Sequence, residues 1–223
     1  MAPCPEGREK SGMSPHSPAP LVRIERLSRA FGARSVIADF DLALARGERM
    51  ALSGPNGAGK TTVLRCVAGT LLPTKGFVLV GEHAADSIAA RRLTGVSLSQ
   101  DRSFYLRLSG RANLLFFARL RGYTRRQALG RVHALEQELE LEEILAKRID
   151  RCSTGMVQQL AFARALLGDA PLLLLDEPTR SLDEEATARL WAALDRRPAS
   201  ALIIATHRND DMEHCDRRID LDV

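Results

Sequence analysis

Three glycines, a lysine and two threonines stand together at positions 54–62, Gly54-Pro55-Asn56-Gly57-Ala58-Gly59-Lys60-Thr61-Thr62. Glycines at 54, 57 and 59 free successive backbone N–H groups to turn toward one concavity, which at the start of a helix cradles phosphate oxygens. The Lys60 ammonium supplies a point charge for the β and γ phosphates, and the Thr61 hydroxyl stands where magnesium needs an oxygen ligand. Further along, the apolar run 172–175 ends in Asp176-Glu177. At the carboxyl end of a buried strand, Asp176 would hold magnesium through water and Glu177 would polarise an attacking water. Alone, the two acids read equally well as solvated caps of a strand. Coupled to the glycine loop, they point to nucleoside triphosphate chemistry.

Such a loop must be held between a strand and a helix. Residues 48–53 have strand character and 61–68 have helical spacing, so the flanks fit. Upstream, 21–24 and 36–44 alternate apolar and polar residues, predicting an antiparallel β layer. Segments 77–80 and 94–98 are further short strands. From about 108 to 145 the pattern turns helical, with apolar residues at Leu114, Leu115, Ala118 and Leu120, then Leu129, Val132, Leu135 and Leu139. Runs 172–175 and 202–205 are short apolar strands with a helix at 184–194 between them. The expectation is an α/β fold: a P-loop core with a mixed or parallel sheet buried on both faces, an N-terminal antiparallel layer, and an α-helical lobe inserted near 101–160. Five prolines and no apolar period in 1–20 predict a disordered leader, leaving 21–223 as one domain.

Composition narrows the function classes. The chain has 223 residues and a formal net charge of +4, and only four of its 32 basic residues are lysine. The arginines are spread along the chain, which favours scattered surface pairing over a nucleic-acid stripe, so no nucleic-acid partner is expected. No apolar run approaches membrane-spanning length and no apolar signal core opens the chain, so a soluble protein is expected. Cys4, Cys66, Cys152 and Cys215 lack C-x-x-C spacing and predict neither a zinc site nor a redox pair.

Between the glycine loop and the acidic pair lies 152–159, Cys152-Ser153-Thr154-Gly155-Met156-Val157-Gln158-Gln159, opening a helix with Ser153 as its N-cap. A helix start with a free hydroxyl and amides is a second place for phosphate, although most Ser-x-Gly starts are caps and nothing more.

In order and content these segments resemble the ATP-binding subunit of ABC transporters over about 21–222. Residues 54–62 are similar to that family's Walker A and 172–177 to its Walker B. Ser153-Thr154-Gly155-Met156 occupies the signature position, Ser181-Leu182-Asp183 the D-loop, and His207 the switch histidine. Gln100 falls at the glutamine that ends a strand before the helical lobe, and Phe31 at the aromatic that stacks on adenine. Without the family order, Phe31 reads as an ordinary strand aromatic, Gln100 as a surface amide, His207 as a strand end and Asp183 as an acidic first-turn residue.

The resemblance implies ATP as substrate and Mg2+ as cofactor, held by Thr61, Gln100 and Asp176 partly through water. Glu177 and His207 would be catalytic, and Ser153, Thr154, Gly155 and Met156 would act in trans on ATP bound to a second subunit. Asp183 would connect the two sites of a homodimer or pseudo-dimer. The commoner signature is Leu-Ser-Gly-Gly-Gln; the Ser-Thr-Gly-Met form resembles the ABC-2 export branch. That implies an integral-membrane permease as partner, with this chain cytoplasmic and peripheral on the inner face of the membrane. Segment 101–108, with Phe104 and Tyr105, is the candidate docking surface, unless those rings fill the lobe's own core. After 220–222 neither a C-terminal regulatory domain nor a final hairpin is expected.

A translation-associated member would resemble two cassettes in one chain. A chromosome-maintenance ATPase would place a long coiled coil between 60 and 176. Stand-alone P-loop kinases and GTPases have no use for the Ser153 and Asp183 elements. The surviving alternative is a soluble regulatory or nucleic-acid-associated ABC ATPase without a membrane partner.

Overall fold

The computed structural model describes residues 19–98 and 103–221. Most of the expected leader, up to residue 18, lies outside the described residues. Two sheets organise the rest. Strand β1 (Val22–Phe31) pairs antiparallel with β2 (Arg34–Leu44) and with β4 (Lys75–Val80), and β4 pairs with the two-residue β5 (His83–Ala84). The second sheet has the order β6-β7-β8-β3-β9, with β3 at Arg49–Ser53, β6 at Thr94–Ser97, β7 at Leu172–Asp176, β8 at Ala201–Ala205 and β9 at Arg217–Asp220. Every pairing in it is parallel.

Helix α1 (Lys60–Val67) follows β3, and the short α2 (Ile88–Arg92) precedes β6. Between β6 and β7 run α3 (Gly110–Leu120), α4 (Arg125–Leu139), α5 (Glu142–Ala146) and α6 (Thr154–Ala165). Helix α7 (Glu184–Asp195) joins β7 to β8, and α8 (Asn209–Met212) lies between β8 and β9.

The antiparallel layer extends well past 21–24, because three register shifts along β1 reset which face is buried and so erase the alternation. Arg26 and Asp39 take left-handed φ values of 47° and 51° there. Side chains replace the lost ladder: Asp41 Oδ1 accepts from Arg26 N at 2.8 Å, and Ser28 Oγ accepts from Asp39 N at 3.0 Å.

The four leucines of β7 are divided by the pleat. Leu172 and Leu174 join the core formed with the antiparallel layer and α1, whereas Leu173 and Leu175 join the core of the helical segment and α7. Strand β8 divides likewise, Ala201 and Ile203 to one side and Leu202 and Ile204 to the other. A side-chain period of two over a sheet covered on both faces requires such a continuous apolar run.

The arginines do more than pair at the surface. At the end of α3, Arg121 Nη2 donates to the Thr94 carbonyl at 3.0 Å, and from α6 Arg164 Nη2 donates to that of Val96 at 3.3 Å, tying both helices to β6. Arg131 on α4 reaches the carbonyls of Leu166 and Leu167, and Arg197 forks onto Glu138 with two contacts of 2.7 Å. The Arg197 hydrogen bonds hold the Glu138 carboxyl below its usual range. A planar guanidinium with five donors suits these inter-element ties better than a lysine ammonium.

Leu174 is fully buried, so Leu174→Ala should lower unfolding free energy by about 2–5 kcal/mol. The exposed Leu129, changed to Ala, should alter it by no more than about 0.5 kcal/mol. Chemical denaturation of the two variants, with equal transition slopes, checks both values.

Candidate functional site

Parallel register brings the expected site residues to one sheet edge. Ala205 pairs with Leu52 on one side and Asp176 on the other, so β3, β7 and β8 end level. Beyond those ends lie the glycine loop, Glu177 and Thr206-His207. One cleft is lined by Val36, Asn56, Gly57, Gly59, Lys60, Thr61, Thr62, Asp176, Glu177 and Arg180.

Gly59 is the N-cap of α1 at φ 96°, and a Cβ there would stand 2.3 Å from Ile37 Cδ1. Only glycine satisfies both conditions. No side chain caps the helix, so its first-turn N–H groups face the loop. Lys60 is 7% exposed, and its Nζ donates to the carbonyls of Gly54 at 2.6 Å and Pro55 at 3.0 Å. Ala58 is buried beneath the loop, and its N–H closes a turn onto Pro55 O at 3.2 Å. Strand β9 flanks the loop's start: Ser53 Oγ hydrogen-bonds Asp220, and that hydroxyl, followed by Arg218, holds the Asp220 carboxyl below its usual range.

Thr61 Oγ1 donates to Asp176 Oδ2 at 2.9 Å. This sets a hydroxyl and a buried carboxylate side by side, the hard oxygen donors that magnesium prefers. Gln100 lies outside the described residues.

Glu177 is 8% exposed and holds a left-handed φ of 48°, a conformation that costs a non-glycine residue about 1–3 kcal/mol. Its N–H donates to Ala205 O at 2.8 Å, which continues the β7–β8 ladder one step. Oε1 accepts from His207 Nδ1 at 2.7 Å, while Oε2 is buried without a hydrogen-bond partner among the described residues. The His207 side chain is about half exposed.

The other expected residues are placed as follows. Ser153 is the N-cap of α6, its Oγ accepting from Met156 N at 3.2 Å, so the hydroxyl proton remains for another acceptor. Ser153 and Thr154 are exposed, while Met156 packs partly against the helical core. A Cβ on Gly155 would meet Ser181 O at 2.3 Å, so the segments 153–156 and 181–183 touch within this chain. Asp183 is the N-cap of α7 rather than a first-turn residue, its carboxylate accepting from Ala186 N at 2.7 Å. Phe31 ends β1 opposite Arg34, at 49% exposure, with the Arg29 guanidinium 4.6 Å from its ring centroid. Of the expected docking pair, Phe104 is 5% exposed and belongs to the core, whereas Tyr105 is 50% exposed. Residues 101–102 of that segment lie outside the described residues.

Reading the motifs alone misses Arg180 and Val36 in the cleft, and Gln158, whose Nε2 donates to Glu177 O at 3.3 Å. Gln158 stands two residues after the signature Ser153-Thr154-Gly155-Met156, so its position was a usable signal. Arg180 had only its place three residues after Glu177.

A family model described as ABC transporter matches residues 37–180. The chain belongs to the ABC transporter family. Among curated ABC relatives, the Nod factor export ATP-binding protein I of Bradyrhizobium diazoefficiens is 35% identical over 85% of this chain and 63% of its own length. The phosphonates import ATP-binding protein PhnC of Anaeromyxobacter dehalogenans is 34% identical over 92% of this chain and 44% of its own. The chain thus spans less than two thirds of these relatives. A solved ATP-binding subunit of an ABC transporter superposes with TM-score 0.82 at 28% identity, covering 90% of this chain and 85% of that one. A bacterial ABC transporter cassette solved as a dimer gives 0.83 at 22% identity over 90% and 94%, a likeness of fold.

Because Gly155 rests on the Ser181 carbonyl, Gly155→Ala should destabilise the ABC domain by about 1–3 kcal/mol. Gly130, inside α4 with open space about it, should instead gain about 0.5–1 kcal/mol on change to Ala. Opposite shifts in a denaturant midpoint check the pair.

Proposed function

We propose that this chain is an ATP-hydrolysing subunit that powers an ABC transporter of the ABC-2 export type. The observation that carries the hydrolytic reading is Glu177: a buried carboxylate with one oxygen on His207 and the other without a hydrogen-bond partner among the described residues, facing the same cleft as Lys60, Thr61 and Asp176. A triphosphate in the glycine loop would give Lys60 anionic acceptors in place of two neutral carbonyls, a stronger charge-assisted contact. Thr61 and Asp176 would hold Mg2+ there, and the ion would neutralise charge on the phosphate oxygens. Glu177 Oε2 accepts the proton of the attacking water, and His207 orients the carboxylate through Oε1. Phe31 offers one ring face to adenine, with Arg29 on the ring's other side.

The exposed Ser153 hydroxyl and the start of α6 complete the ATP site of a second copy, homodimeric or pseudo-dimeric, with Asp183 beside them linking the two sites. ATP closes the pair and hydrolysis opens it. Among the described residues no helix is long and apolar enough to cross a membrane, so a separate integral-membrane permease would supply the pathway and hold this chain at the cytoplasmic face. Tyr105, Leu106, Leu108 and Phe116 form an exposed apolar strip on the helical segment, with Tyr105 and Phe116 edge to face at 4.9 Å, which suits that partner. Export is supported by the Ser-Thr-Gly-Met signature and by the exporters among the relatives, which also include an importer.

Glu177→Gln should cut steady-state ATP turnover by about 10²-fold or more while leaving ATP binding intact. The variant should run as a dimer in size-exclusion chromatography with ATP and magnesium. Turnover at the wild-type rate, with no dimer in any nucleotide condition, would sink the reading.

A further inference from the structure

We propose that Asp211 is a positioning residue for the Glu177–His207 pair, acting through the hydroxyls of Thr179 and Thr206. The proposal rests on the catalytic reading of that pair given above. Asp211, on α8, is 1% exposed, and both threonines are fully buried. Thr179 Oγ1 donates between the two carboxylate oxygens, 2.9 Å from Oδ1 and 2.8 Å from Oδ2. Thr206 Oγ1 donates to Oδ2 at 2.8 Å and itself accepts from Arg208 N at 3.1 Å.

The covalent neighbours of these threonines carry the argument. Thr179 stands two residues after Glu177, on the turn that leaves β7. Thr206 immediately precedes His207 at the end of β8. The carboxylate therefore joins the two turns from which the paired side chains project, and the backbone bond from Glu177 N to Ala205 O joins them on the other side. Between these two ties the 2.7 Å contact of His207 Nδ1 with Glu177 Oε1 has little freedom to open.

Burying a carboxylate whose side-chain partners are two hydroxyls is costly, and a well-packed apolar residue would serve stability better. What a carboxylate provides is an acceptor at both oxygens that Thr179 Oγ1 approaches, whereas an amide would set an NH2 donor in place of one of them. Holding a catalytic pair to fractions of an ångström is the kind of return that justifies such a group, because about 1 Å of misplacement can cost 10²-fold in rate.

The test uses steady-state ATP turnover by the purified full chain, for Thr179→Val, Thr179→Ser and Asp211→Asn, each in the wild-type and His207→Ala backgrounds. Thr179→Val should lower kcat by about ten-fold with KM for ATP within about two-fold, Asp211→Asn should act in the same direction, and Thr179→Ser should restore the rate. In the His207→Ala background the further loss should shrink to about two-fold or less, because residues acting as one unit are not additive. A loss that persists undiminished without His207, an unchanged kcat, or a fall that tracks the melting temperature and is not rescued by serine overturns the proposal. Should Asp211→Asn fail to fold, the Thr179 pair carries the test unaided. If His207→Ala and Glu177→Gln both turn over ATP at the wild-type rate, the catalytic reading itself falls, an outcome distinct from loss of the Asp211 role alone.

Discussion

The structure turns on the hydrogen-bond register at Ala205. Its pairing with Leu52 on one side and Asp176 on the other sets three strand ends level, although the strands lie far apart along the chain. Parallel strands cannot be joined by tight turns, so every return path needs a crossover, and all the loops beyond the carboxyl ends gather at one edge. A slip of one residue at β8 would move His207 away from Glu177 and turn Ile203 and Ile204 toward the wrong cores. Burial on both faces makes that slip prohibitive. The positions of the loop, Glu177 and the histidine are thus consequences of apolar packing in strands that contain none of them, and Asp176 is the last residue of one such strand.

Contiguous features were legible from the chain alone. The glycine loop, the run 172–175 and the helix opening at Ser153 each carry their conformational demand in adjacent residues, and all take the expected form. The family order extended this to Asp183 and His207, whose residue types say little by themselves. Features made by distant residues of common type were not legible. Nothing about Asp211, Thr179 and Thr206 in sequence marks them as mutual partners, and the full length of β1 was hidden by shifts that scramble its alternation. Phe104 and Tyr105 are neighbours of similar character, yet Phe104 packs edge to face on Phe117 in the core while Tyr105 meets Phe116 at the surface. The arginines were half legible: several pair with acids at the surface, as their scatter implies, while Arg121 and Arg164 tie helices to β6, which scatter does not reveal.

Stability and chemistry pull against each other at the acidic edge. Glu177 is strained in its backbone and has one oxygen without a partner among the described residues, Lys60 buries an ammonium against neutral carbonyls, and Asp211 is a carboxylate deep in the protein. Each is unfavourable for folding taken alone. They persist because the apolar sheet beneath and the helix packing on either side over-determine the edge.

The division of β7 and β8 between two cores reaches beyond packing. A segment inserted into a domain often melts by itself, as a separate calorimetric unit. Here the helical segment and the antiparallel layer lean against opposite sides of the same few strands, so neither can let go without stripping cover from the wall that supports the other. Heat should therefore find one cooperative transition instead of two, and the slowest-exchanging amides should be those of β7 and β8, common property of both halves.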